Sequence, residues 1–452
     1  MIKLFDHFND NSRKLYQSFI ASTLEDDLTI VLNDNGFLPD EIITPYRFFA
    51  GTQNFENTTP RFFNQINVPT FWEIKGNNNS AVITDMGRVR GKIFYQSAEK
   101  PRIVNRVEWY DEQQRVRFVD HYSKYGIKFA QTVYDLNYKA ILKKYMTADG
   151  KEVIYENFVT SDVILDWQGK SYFFPSKLSF VLFFIKQLNV SSHHFVINSL
   201  ALPFSVIYNL PNYGRDVLVW QEECRGNIPG NMQLMCRGDM KRDCNIIIPD
   251  KDEFETIMNV ADNTVKSRVF QGGYLYNYQS RTRYAKEILI LTNSDQLLNI
   301  KTLVEKLPEF KFHIAAITEM SPKLMHYDQY ANVYLYPSIN MAMVNELYQL
   351  CDIYLDINES NEILNAVQRA FDHELLIIGY QQTAHNTKIT PLEHLFEHNN
   401  DVTMDSEDRL IRMLESLKNQ QQFHESLLLQ KSQAHEVTRE QFEHVFTQAL
   451  NL

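Results

Sequence analysis

Glycine and proline are scarce, 15 and 14 residues in a chain of 452. Collagen-like, linker-rich and low-complexity designs are thereby excluded. Cysteine is scarcer still, at four, too few for a disulfide framework in a chain of this size. Cys224, Cys236 and Cys244 stand near one another, but not in the paired C-x-x-C form of a zinc site. Reduced thiols are expected there, and no metal. A long basic run is missing, and 45 Lys and Arg against 56 Asp and Glu give a net charge of −11. Nucleic acid is therefore not an expected partner. The opening Met-Ile-Lys-Leu-Phe-Asp-His-Phe has neither an apolar core nor a small-residue cleavage site, so no secretory signal is read. The apolar stretch Phe180-Val181-Leu182-Phe183-Phe184-Ile185 stops at Lys186, well short of a membrane span. It reads as a buried helix, and the chain as cytoplasmic.

Aromatics are plentiful, with 30 Phe and 24 Tyr, which favours sheet-rich, well-packed domains. At about 100–200 residues per domain the length suggests two to four of them. Leu28-Thr29-Ile30-Val31-Leu32 reads as a buried parallel strand, after a helix capped by Asn11 or Ser12 that carries Leu15 and Phe19. From residue 46 to 175 the apolar period changes from 3.6 to 2. Arg106-Val107-Glu108-Trp109 alternates and returns as Arg115-Val116-Arg117-Phe118; Asp149-Gly150 and Gln168-Gly169 mark further tight turns. An antiparallel meander is expected, inserted in an α/β lobe. After Pro175 the α/β rhythm resumes, and near Ala285 a second doubly wound lobe begins. Its helices are expected over 297–307, 341–350 and 362–371, and a helical tail over 406–452. The predicted division is 1–45 and 176–284 for the first lobe, 46–175 for the inserted sheet, 285–405 for the second lobe and 406–452 for C-terminal helices.

Two such lobes resemble the glycosyltransferases of the GT-B fold. The retaining members carry a Glu-x7-Glu pattern around the penultimate helix of the second lobe, and Ala370-Phe371 with Leu376-Ile377-Ile378 fits its end. In that register the two glutamate positions fall on Asn361 and Arg369. Arg accepts no hydrogen bond, so a ribose acceptor is lost. The Arg and Lys that face a nucleotide diphosphate in those enzymes fall here on Asn293 and Leu298, neither charged. Gly272-Gly273 is isolated and is no phosphate loop, so no cofactor is expected. Glu359 and Glu362 lie beside Asn361 and stay open as the carboxylates of an active retaining UDP-sugar transferase.

The meander entered from Asp34-Asn35-Gly36-Phe37-Leu38-Pro39-Asp40, together with the opening Met1-Ile2-Lys3-Leu4-Phe5-Asp6-His7-Phe8-Asn9, closely resembles the GtfB family of accessory subunits. The resemblance implies a non-catalytic chain that stabilises a GtfA-type O-linked N-acetylglucosaminyltransferase. It also implies help in holding the acceptor, a serine-rich repeat adhesin exported by the accessory Sec system. The implied place is the cytoplasm, peripheral to the inner face of the cell membrane.

Other constellations read more plainly. His193 and His194 are adjacent on a strand and point to opposite faces, so they do not share a ligand. Asp216, Glu222 and Glu223 read as charged strand ends, Tyr274-Leu275-Tyr276-Asn277-Tyr278 as a packed linker, and Asn77-Asn78-Asn79 as a hairpin loop. Trp72, Trp109, Tyr110 and Trp167 of the inserted sheet are the aromatics expected to contact partner or acceptor.

Overall fold

The structure, a computed structural model, describes residues 1–24, 28–53, 58–77, 79–96, 102–190, 194–398 and 409–451. It falls into two units, Met1–Gly273 with Arg439–Leu452, and Tyr274–Thr438.

In the first unit, short runs such as Ile2–Phe5 and Asp243–Ile248 are mostly apolar and buried nearly throughout. Strands of this kind suit a parallel sheet covered on both faces. The order is Val269–Gln271, Asp243–Ile248, Arg215–Val219, Phe195–Ile197, Ile2–Phe5, Leu28–Val31, Ile42–Ile43, and every neighbouring pair is parallel. The helix Arg439–Leu450 belongs to this unit although it follows the second in sequence. Phe442 and Phe446 meet Phe19 edge-on at 5.4 and 4.9 Å, and the Asn245 amide donates to the Ala449 carbonyl.

The second sheet of this unit has ten strands in sequence order, from Glu73–Gly76 to Lys170–Phe174, all antiparallel. The turn at Gln168-Gly169 has φ of 50° and 75°, the left-handed pair a two-residue hairpin requires. The two halves of this sheet bury opposite faces. In one half Tyr145, Ile154, Leu165 and Phe174 share a core with Ile30, Phe180 and Phe184 of the first lobe. In the other, Ala81, Ile83, Ile93 and Val107 pack with Ile66 and Trp72. The paired row Val107, Asp120, Gln131, Lys144, Tyr155, Ile164, Phe173 runs from that second core to an open face, where Ile164 is 38% and Phe173 66% exposed.

The segment 34–40 seats this sheet on the lobe. Gly36 has φ of +82°, and a Cβ there would lie 2.6 Å from the Tyr122 carbonyl oxygen. Its own carbonyl accepts from the Lys124 amide at 2.8 Å, while Lys124 Nζ donates to the Leu38 carbonyl and pairs with Asp40, both at 2.6 Å. Tyr125 also donates to Asp40.

The second unit holds a six-stranded parallel sheet, ordered Val333–Tyr336, Lys311–Ala316, Glu287–Thr292, Ile353–Asp356, Leu376–Tyr380, Leu395–Phe396. Two α/β lobes with an antiparallel meander inserted in the first are what the change of period predicts. Three local expectations are corrected. The first helix is Asp10–Ala21, capped by Asn9, whose Oδ1 accepts from the Ser12 amide; Asn11 and Ser12 lie inside it. The helices expected from 297 and 362 are Ile300–Lys306 and Ala366–Asp372. Left-handed residues precede both, Asn299 at φ 56°, Leu364 at 54° and Asn365 at 51°, and helical geometry cannot pass through them. The buried apolar helix is Lys177–Leu188, and among the described residues no helix is long and apolar enough to cross a membrane.

Candidate functional site

The parallel sheet of the second unit reverses its order between Glu287–Thr292 and Ile353–Asp356. Open parallel sheets take ligands at such a point, outside the carboxyl ends of the strands. Here the two loops that leave those strands are tied to each other. Leu297 and Asn358 form an isolated antiparallel bridge, the Leu298 amide donates to the Ile357 carbonyl at 2.9 Å, and the Glu359 amide to the Gln296 carbonyl at 3.1 Å. Thr292 Oγ1 donates to Asn358 Oδ1 at 3.0 Å, and Asn358 Nδ2 reaches the carbonyls of Ser360 and Asn361, each at 3.2 Å. This pairing holds Leu297 and Leu298 out of the helix that follows, which starts at Ile300.

His385 completes the tie. Its Nδ1 lies 2.6 Å from Asp356 Oδ1 and its Nε2 2.8 Å from the Ser360 carbonyl oxygen. Both partners only accept, so the ring carries two protons and a positive charge. The bond to Asp356 raises the His385 pKa to about 9, against the burial that opposes it. Glu362 turns to its own chain, where Oε1 accepts from the Val367 amide at 2.9 Å.

The structure brings Asn293, Leu298 and Asn361 to these two loops: Asn293 and Asn361 are exposed and Leu298 half-buried. Arg369 stands on the helix beyond, donating to Asn345 at 3.4 Å. Glu359 is exposed. Sequence reasoning missed Asp356 and His385. An aspartate at the end of an apolar strand is a visible signal, but nothing in the spacing joins it to a histidine 29 positions later.

The four aromatics of the inserted sheet are all half-buried. Trp109 donates its indole N–H to Asp120 Oδ2 at 2.8 Å, and Asp120 also accepts from Gln131 and pairs with Lys128. Trp72 packs in the same core as Trp109, with the Arg90 guanidinium 5.8 Å from its ring centre. Tyr110 donates to Glu108 at 3.2 Å, and burial, then that carboxylate, pushes its phenol up to about 12. Trp167 packs on Phe49 at 5.2 Å and Phe183 at 6.4 Å. On its strands, the exposed large apolar side chains are Phe118, Ile164 and Phe173.

Of the remaining groups, Asp216 is fully buried and gripped by Arg242 through two bonds of 2.6 and 2.7 Å. Glu222 and Glu223 are solvent-exposed or nearly so, at the end of a strand. His194 contacts the Arg215 carbonyl, and His193 lies outside the described residues. Tyr276 and Tyr278 bond the Ala434 carbonyl and Glu436 and pack on Phe371 within the second unit. Asn77 Oδ1 accepts from the Asn79 and Ser80 amides in a hairpin turn, Asn78 lying outside the described residues. Cys224, Cys236, Cys244 and Cys351 are free and buried, and burial pushes the Cys236 thiol up to about 11.

Four family models match in succession: the GtfB N-terminal domain over 2–49, the GtfB middle domain over 72–175, the GtfB third domain over 177–260 and the GftB/GlyA-F C-terminal domain over 288–430. A protein of Streptococcus pneumoniae serotype 4, named UDP-N-acetylglucosamine–peptide N-acetylglucosaminyltransferase stabilizing protein GtfB, is 41% identical over 88% of this chain and 89% of its own length. Its namesake in Streptococcus agalactiae is 39% identical over 88% and 90%. A chain in a crystal structure of a GtfA/B complex bound to UDP and GlcNAc superposes with a TM-score of 0.90 at 36% identity, covering 99% of both chains. With matches of this extent running through the first lobe, the inserted sheet and the second lobe alike, the chain belongs to the GtfB family.

Proposed function

We propose that this chain is the non-catalytic, stabilising subunit of a two-subunit peptide O-N-acetylglucosaminyltransferase, with a GtfA-type chain as its catalytic partner. The observation that carries this reading is the end-to-end likeness to one chain of a GtfA/B complex. What supports the non-catalytic part is the second-lobe switch point, tied across by Leu298, Glu359, Asn358 and His385, with uncharged Asn293 and Leu298 at the diphosphate positions. The partner gains stability by mass action, without this chain touching a sugar nucleotide. The inserted sheet contributes to the partner contact and, with it, to holding a serine-rich repeat adhesin for its first GlcNAc before accessory Sec export. The five-part division at 45, 175, 284 and 405 describes the working parts, and the chain acts in the cytoplasm, peripheral to the membrane export machinery.

Purification alone and with the catalytic partner tests this. Alone, the chain neither transfers nor hydrolyses UDP-N-acetylglucosamine; added to the partner, it raises the partner's melting temperature and its transfer to a serine-rich acceptor. Turnover by the isolated chain, abolished by Glu359→Gln or Glu362→Gln, would establish the active retaining transferase instead.

A further inference from the structure

Arg47 lies on the short helix Pro45–Ala50 and is 3% exposed. Its guanidinium holds Asp34 by two bonds, Nε to Oδ2 at 2.7 Å and Nη2 to Oδ1 at 3.1 Å. Asp34 Oδ1 also accepts the Gly36 amide at 2.8 Å, and the Gly36 carbonyl accepts the Lys124 amide. A chain of bonds thus leads from the helix, through one carboxylate, to a turn of the inserted sheet. Arg47 Nη1 is buried and bonds no protein atom. Arg47 lines a cavity of about 10 Å³ with Asp34, Gly36, Thr52, Ser123 and Tyr125.

A buried donor left without an acceptor is costly, and more so when it is charged. The shape and charge of the site decide what supplies the acceptor. Asp34 already balances Arg47, so an anion would bring an uncompensated buried charge, and a cation would face the guanidinium. A neutral molecule remains, and the volume matches the lower limit for one water. Water accepts from Nη1 and has two protons for the oxygen atoms of the wall, where Thr52 and Ser123 carry hydroxyls.

We infer that this cavity is a binding site for one ordered water, and that the unit of Asp34, Arg47 and water pins the inserted sheet to the first lobe. A crystal structure resolving solvent tests the site. It shows a water within hydrogen-bond distance of Nη1 and of a wall oxygen; a protein oxygen on Nη1, or no density there, overturns the site. Hydrogen exchange tests the pin. Arg47→Lys keeps the charge and removes Nη1, and it speeds exchange at the Gly36 and Lys124 amides roughly tenfold, the fold-change of a bond worth about 1.4 kcal/mol. The Ile154 and Leu165 amides, deep in the shared core, keep the parent rates. Equal rates at Gly36 and Lys124 in variant and parent overturn the pin. Should Arg47→Lys unfold the chain, Thr52→Val with Ser123→Ala keeps the ion pair and strips the wall. In that variant faster exchange at the same two amides supports the pin, and unchanged exchange refutes it.

Discussion

His385 needs both ring protons to satisfy a carboxylate on one side and a carbonyl on the other. Its folded pKa, about 9, stands above the ordinary 6.5, so its stabilising effect is complete below pH 6.5 and is lost as pH rises through about 9. The shift corresponds to at most about 3.4 kcal/mol, less where water screens the ring. Hydrogen exchange at the Leu298 and Glu359 amides should therefore accelerate between pH 6.5 and 9.5, once corrected for intrinsic rate, and His385→Gln should abolish that excess. Arg242 is a second residue on which much depends. Removing it with Arg242→Ala strands Asp216 as a buried carboxylate, and urea unfolding should show a loss of about 3–5 kcal/mol. Neither pair was legible in the sequence. Asp216 looked like one of many charged strand ends, and Asp356 reaches His385 only because the loop from Tyr380 folds back over the strand end, as when Thr383 bonds the Asp356 carbonyl. That Asn293 and Leu298 carry no charge is plain from the sequence, because charge is a property of the residue alone.

Elements show a different balance. Hairpins are local, and Asp149-Gly150 or Gln168-Gly169 marks its own turn, so the meander could be read strand by strand. In the second lobe Met341–Leu350 stands where its apolar stripe predicts. Two other helices start about a turn later than theirs, since Leu297 and Leu298 pair with Asn358 and Ile357 from far along the chain, and Leu364 and Asn365 are left-handed. Which face of the sheet is buried was not legible either, because the burial changes face halfway across. That change has an experimental consequence: excising residues 46–175 would strip Tyr145, Ile154 and Leu165 from the first lobe's own core. Surface variants are the cleaner probe. Ile164→Thr with Phe173→Thr should leave the melting temperature of the isolated chain within about 2 °C, yet weaken assembly with the catalytic subunit in a pull-down or by calorimetry. Gly36→Ala acts at the joint itself. Its left-handed φ and the 2.6 Å approach to Tyr122 leave no room for a methyl group, and a loss of about 1–3 kcal/mol in urea unfolding is expected.

For the molecule as a whole, the tied switch point gives a simple thermal expectation. A ligand stabilises a protein only through its affinity for the folded state, so 1 mM UDP should move the melting temperature of the isolated chain by less than about 1 °C. A shift of several degrees would show an open nucleotide site. The helix Arg439–Leu450 packs on Phe19 and Asn245 after the chain has passed through the whole second unit. A ribosome delivers residues at roughly 5–20 per second. From the moment Phe19 and the strand Asp243–Ile248 emerge, their cover is still nearly two hundred codons away. Until Arg439–Leu450 is made, the nascent first unit is thus an unfinished body with an apolar seam. A chain stopped before Arg439 would keep that seam for good, and should be recovered in the insoluble fraction however intact its second unit is.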